Sequence, residues 1–149
     1  MTVGIRYIEK GDLFTSGAAV LVCPTNAAGV MGNGLARYFR NRVAGLFSAY
    51  RRHCAKHEPA QMVPFVFPTK DFTVYCLHTK RRWWEDSSTA IVRDGLLKFI
   101  AWCEQTQVES VAIPALGCGK GGLDFYRDVK PVLQELLKES SMNITIYCS

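Results

Sequence analysis

Lys80 stands just after an apolar run and opens the segment Thr79-Lys80-Arg81-Arg82-Trp83-Trp84. A lysine near cationic or apolar groups can lose its proton and serve as a nucleophile or base. At a strand end its amine meets either solvent or a ligand cleft. Arg81, Arg82, Trp83 and Trp84 read as a basic surface loop, and the same composition suits tracking a nucleic-acid backbone and stacking bases. Asp12 follows Gly11 at the end of the first expected strand. A carboxylate there caps a helix or accepts a hydrogen bond from a base amino group. His53 and His57 sit one helical turn apart, a spacing that can share a metal. Cys54 stands where a zincin helix needs Glu and no third ligand is near, so a solvated basic helix face is expected and no metal site.

Two glycine-rich segments each leave a short apolar run. The first is Val20-Leu21-Val22-Cys23-Pro24-Thr25-Asn26-Ala27-Ala28-Gly29-Val30-Met31-Gly32-Asn33-Gly34. The second is Val111-Ala112-Ile113-Pro114-Ala115-Leu116-Gly117-Cys118-Gly119-Lys120-Gly121-Gly122. A glycine loop between strand and helix aims backbone N–H groups at an anion. Two such loops in one small domain imply a phosphate-bearing ligand gripped from both sides. The second is not a nucleoside-triphosphate P-loop, because Gly121 follows Lys120 where a magnesium-binding hydroxyl is required. Gly32-Asn33-Gly34 lacks the third glycine of a dinucleotide fingerprint.

Strand and helix patterns alternate along the chain, which implies an α/β fold with a central sheet. Strands are expected over residues 3–8, 18–22, 61–67, 72–78, 108–114 and 143–148, with a hairpin turn at Pro68-Thr69-Lys70-Asp71. Helices are expected over 35–42, 46–57, about 88–105 with Ser87 or Ser88 as cap, and 126–139 with Asp128 as cap and Pro131 in the first turn. About six strands sharing one sheet with helices on both faces is the economical arrangement. Both glycine loops then lie beyond the carboxyl ends of strands, where such sheets bind ligands.

The 149 residues fit one domain, 1–149. No apolar run reaches the roughly 20 residues that span a bilayer, and residues 1–10 carry no apolar signal segment, so a cytoplasmic protein with no membrane partner is expected. Six cysteines form no CxxC pair and mostly lie in apolar stretches, as reduced core thiols do. The net charge of +5 suits a polyanionic partner without naming one.

The order and spacing of Lys10-Gly11-Asp12-Leu13-Phe14, of Asn26 through Ala36 and of Pro114 through Phe125 resemble the macrodomain family, whose members bind ADP-ribose. Within it the chain looks most like the DNA ADP-ribosyl glycohydrolase antitoxin branch and its relatives that release ADP-ribose from acidic side chains. The resemblance covers the whole chain and implies a three-layer α/β/α macrodomain with a central mixed sheet of about six strands. It implies that Asp12 binds the adenine amino group with Leu13 beside it and Phe125 flanking the ring. Asn26 with Gly29, Val30, Met31, Gly32, Asn33 and Gly34 would hold the distal ribose and a phosphate. Pro114, Leu116, Gly117, Cys118, Gly119, Lys120, Gly121, Gly122 and Leu123 would wrap the diphosphate. Lys80 falls where the branch carries its catalytic lysine, and Asn26 would orient the ribose.

Two positions depart from the branch. Cys23 replaces an asparagine, and Gly121 stands where the side-chain-directed relatives carry an aspartate, which favours the DNA-acting type. The expected function is hydrolysis of ADP-ribose from a modified macromolecule, foremost thymidine-type adducts of DNA. Lys80 would act at the anomeric carbon as attacking amine or proton shuttle. Arg81, Arg82, Trp83 and Trp84 would touch nucleic acid, single-stranded DNA among the candidates, outside the cleft. The expected protein is a monomer without a cofactor. The alternatives are an ADP-ribose 1″-phosphate phosphatase and a non-catalytic ADP-ribose reader.

Overall fold

The computed structural model describes residues 4–149, so Val3 of the first expected strand lies outside the described residues. Six strands form one sheet in the order β1-β6-β5-β2-β4-β3. They are β1 (Gly4–Ile8), β2 (Val20–Asn26), β3 (Phe65–Pro68), β4 (Thr73–Lys80), β5 (Ser110–Ile113) and β6 (Asn143–Tyr147). All neighbouring pairs are parallel except β3, which runs antiparallel to β4 at the edge. Helices α1 (Gly34–Arg42), α2 (Leu46–Ala55), α3 (Thr89–Thr106) and α4 (Lys130–Leu137) complete the three layers.

Alternation along the strands divides the core in two. Val20 and Val22 of β2, with Tyr75 and Leu77 of β4, join Leu96 and Phe99 of α3 and Leu133 of α4. Leu21 and Cys23, with Val74 and Cys76, join Phe39 of α1 and Leu46, Tyr50 and Cys54 of α2. Both faces are covered, so the central strands read as unbroken apolar runs. Five of the six cysteines are buried and Cys118 is half-buried. No described helix is long and apolar enough to cross a membrane.

Several element boundaries differ from expectation for identifiable reasons. β2 continues to Asn26 rather than stopping at Val22. β5 accompanies it only at Val20 and Leu21, so Pro24 has an open side where its missing N–H costs no ladder bond. β3 starts at Phe65, because residues 59–61 form a 3-10 turn and Met62 takes a left-handed backbone at φ 50°. The β3–β4 turn closes as expected, with Thr69 N donating to Phe72 O at 2.8 Å. β4 reaches Lys80, so Thr79 and Lys80 belong to the strand. Ser88, not Ser87, caps α3 through Ile91 N at 3.1 Å. Asp124, not Asp128, caps the last helical segment, which opens with a π-turn over Phe125–Val129. Pro131 cannot donate to Arg127, and the wider turn precedes the regular helix there. α2 ends before His57. His53 is half-buried and hydrogen-bonded, so the expected solvated histidine face is corrected.

One buried polar network locks β3 to the sheet. The His78 ring is 4% exposed and its Nε2 donates to Val63 O at 2.8 Å. That contact places the proton on Nε2, so Nδ1 accepts from the Thr25 hydroxyl at 2.8 Å. His53 Nε2 donates to the same Val63 carbonyl at 2.9 Å, and Lys98 Nζ donates to Met62 O at 3.1 Å. Burial is the main cause that pushes His78 down to about 4. A histidine depressed in the fold binds its proton more tightly in the unfolded chain. Its contribution is therefore intact above its unfolded value of about 6.5 and is lost as pH falls towards 4. Between about pH 7 and pH 5, His78 should cost the wild type roughly 2 kcal/mol. Urea midpoints across that range should fall steeply for the wild type and less for His78→Gln. Parallel profiles would refute the assignment.

Candidate active site

The carboxyl ends of β1, β2, β4, β5 and β6 share one edge of the sheet, and the segments leaving them enclose a cavity of about 970 Å³. This is the ligand position that a parallel sheet provides. It is lined by Gly11 and Leu13 after β1, by Asn26 to Ala36 in part after β2, and by Lys80, Trp83 and Trp84 after β4. Pro114 to Tyr126 in part follows β5, and Tyr147, Cys148 and Ser149 close the far end.

Asn26 shapes the first loop. Its Oδ1 accepts from Ala28 N at 3.1 Å and Val30 N at 3.2 Å, while Nδ2 donates to Val30 O at 2.8 Å. The buried Tyr50 hydroxyl donates to Asn26 O and also lies 3.2 Å from Oδ1. Burial and neighbouring thiols push the Tyr50 phenol far up, so it stays a donor. Asn33 precedes α1 without spending its side chain on a cap. The α1 N-terminus thus opens on the cavity with its positive end free for an anion.

Lys80 joins the two loops. A register shift after Thr25 sets Asn26 opposite Lys80 at the strand ends. Lys80 Nζ donates to Trp83 O at 3.3 Å and to Lys120 O at 3.2 Å. The second loop is tied further by Ser87 N to Gly121 O at 2.9 Å and Leu123 N to Gly117 O at 3.0 Å. Among the described residues, the amides of Gly119, Lys120 and Gly121 donate to no protein group. They remain for an anion. A Cβ on Gly121 would lie 2.4 Å from Gly117 O, so this turn admits no side chain there.

Asp12 caps a 3-10 turn, with Oδ1 accepting from Phe14 N at 3.0 Å and Oδ2 from Tyr38 at 2.7 Å. It borders a smaller adjoining cavity of about 330 Å³ rather than the main one. Of the other expected ligand residues, Leu13, Val30, Gly32, Asn33, Gly34, Pro114, Gly117, Cys118, Gly119, Lys120, Gly121, Leu123 and Phe125 line the main cavity. Met31 and Leu116 are fully buried core residues, Gly29 backs onto α2, and Gly122 lies beside Asp86. Arg81 and Arg82 sit outside, paired with Glu85 at 3.3 and 3.9 Å. Trp83 and Trp84 line the cavity, which corrects the expectation that they lie outside it. Burial and then Asp124 and Asp128 push the Cys118 thiol up to about 11, which keeps it protonated near neutral pH.

Tyr126, Tyr147, Cys148 and Ser149 line the cavity although no sequence motif singles them out. Phe125 is 5% exposed and packs in the core, whereas Tyr126 is 50% exposed and borders the cavity. The rule that ligands sit past strand ends applies equally to β6 and would have found the last three.

Residues 22–131 match the family described as Macro domain. The chain belongs to the Macro domain family. This macro domain is 34% identical over 120 residues to a Mycobacterium tuberculosis protein named DNA ADP-ribosyl glycohydrolase, a match covering 78% of this chain and 34% of that one. The chain thus spans about a third of the length of that curated relative. The Thermus aquaticus DarG macrodomain superposes with a TM-score of 0.87 at 27% identity, covering 98% of this chain and 99% of that one. The Thermosipho africanus DarTG structure in complex with ADP-ribose gives 0.87 at 25%, covering 98% and 42%. In this macro domain Cys23 is fully buried between the sheet and α2, away from the cavity.

Asn26 carries the first loop of the macro domain, so its removal should free that loop even without ligand. Asn26→Ala should speed amide hydrogen exchange at Ala28 and Val30 by at least about tenfold, the worth of one net hydrogen bond or more. Unchanged protection at both amides would show that the loop holds itself.

Proposed function

We propose that this macro domain binds ADP-ribose and hydrolyses the bond between its distal ribose and a DNA base of the thymidine type. The carrying observation is Lys80, half-buried at the cavity edge, its Nζ held between Trp83 O and Lys120 O of the second glycine loop. The names of its relatives, DNA ADP-ribosyl glycohydrolase and DarG, support the same reading. Asp12, Leu13 and Tyr126 mark the adenine end. The free amides of the second loop and the α1 N-terminus take the diphosphate. The Asn26-shaped loop seats the distal ribose, with its anomeric carbon towards Lys80.

Cleavage builds positive charge on that carbon. The bound diphosphate offsets the charge, and the loops supply positioning. The carbon–nitrogen bond breaks with its electron pair passing to the base. An ammonium has three N–H groups and Lys80 spends two on Trp83 O and Lys120 O. The third is available to protonate the departing base. Water adds its oxygen to the anomeric carbon and returns a proton to the amine. Two carbonyl acceptors suit a protonated amine, so this reading assigns Lys80 proton donation.

Lys80→Ala should slow release of ADP-ribose from modified DNA by at least about a hundredfold, the usual worth of a positioned acid. Affinity for free ADP-ribose should stay within about threefold, a change of under 1 kcal/mol. Borohydride added during turnover should trap no lysine adduct. Unchanged turnover removes Lys80 from the mechanism, a trapped adduct makes it the nucleophile, and wild-type binding without release makes the chain a reader.

Arg81 and Arg82 stand outside the cavity mouth, where a strand bearing the adduct would pass. The Kd for modified single-stranded DNA should rise with salt, and each Arg→Ala change should reduce the log–log slope by about 0.7. A slope that neither variant changes would remove the arginines from the interface.

A further inference from the structure

Trp83 and Trp84 are 53% and 62% exposed, more than any other large apolar side chain among the described residues. Both line the main cavity. Their ring centroids are 5.5 Å apart and their planes meet at 85°. The corner is held in place. Lys80 Nζ donates to Trp83 O, Arg82 N donates to Glu85 Oε1 at 3.1 Å, and Ser87 N ties the segment to Gly121 O. These bonds set the backbone that carries both indoles beside the amine.

Perpendicular rings cannot serve as successive platforms for two stacked bases. One ring offers a face and the other closes an edge, which suits a single planar group. The cavity also carries Tyr126, after β5, and Tyr147, at the end of β6, two and three strands across the sheet from β4. The tryptophan corner is thus a second, separate place for a heterocycle. Exposed cations Arg81, Arg82 and Lys120 stand in the same segments and can meet phosphates on either side of one nucleotide.

We infer that the Trp83–Trp84 corner receives the acceptor base itself, one unpaired base turned out of its strand and held against Lys80. This rests on the activity proposed above. It makes the two tryptophans the determinants of acceptor choice. A base within a duplex would first have to be unstacked and unpaired, so single-stranded substrate is preferred.

The test compares wild type, Trp83→Ala, Trp84→Ala and the corresponding Phe variants on one ADP-ribosylated oligonucleotide, single-stranded and annealed. Each Ala change should lower kcat/KM on the single strand by about ten- to a hundredfold, the range of one base–aromatic stack. Free ADP-ribose should bind within about twofold of wild type, and Phe should recover much of the loss. Unchanged kcat/KM would overturn the inference. So would an equal loss of ADP-ribose affinity, which would make the indoles walls of the ADP-ribose pocket. A binding titration judges the corner without turnover. The modified strand should quench indole fluorescence in the wild type more than free ADP-ribose does, and equal quenching would overturn the corner. Strong quenching by the modified strand with no release would support the corner and refute the activity.

Discussion

The Lys80 ammonium is shared between two backbone carbonyls, Trp83 O and Lys120 O, that belong to different loops. Charge-assisted hydrogen bonds are roughly twice as strong as neutral ones. Here they join β4, the tryptophan segment and the second glycine loop at one atom. The register shift at the end of β2 brings Asn26 alongside. The cavity wall made by the tryptophan segment and the second glycine loop is tied together at this junction, while Asn26 holds the first loop.

Beneath that junction lies a layer of buried polar groups. Tyr50 holds Asn26, while Thr25 and His78 bind each other and His78 binds Val63 O in the segment leading to β3. In a low-dielectric interior such bonds are strong, and an unpaired member is expensive. The layer therefore makes the strand ends rigid where the ligand arrives. Gly121 expresses the same rigidity in steric form. A Cβ there would collide with Gly117 O, so this turn closes only around glycine.

The layered α/β fold was legible because the central strands are apolar on both faces and the loops leaving them are rich in glycine. The ends of β2 and β4 were not. Cys23 to Asn26 contains a proline and two polar residues, and only the early departure of β5 makes that run acceptable as a strand. Lys80 stood out by its place after a strand, but its two carbonyl partners are distant in sequence and invisible to local pattern. The Trp pair showed its chemistry and not its location, since the turn through Glu85 brings it back over the cavity. Met31 and Leu116 neighbour the site in sequence, whereas their side chains are fully buried in the core. Phe125 and Tyr126 both line the cavity, and nothing in the local pattern shows that Tyr126 is the more exposed of the two.

The central claim is spatial: one ligand bridges both loops and presents its reacting carbon to Lys80. A crystal structure of the protein with ADP-ribose tests it most directly. The diphosphate should lie on the amides of Gly119, Lys120 and Gly121. The anomeric carbon should come within about 3.5 Å of Lys80 Nζ or of a water bound to it, the distance of a near-attack arrangement. A distal ribose turned away from Lys80, or a diphosphate seated off the second loop, would contradict the account.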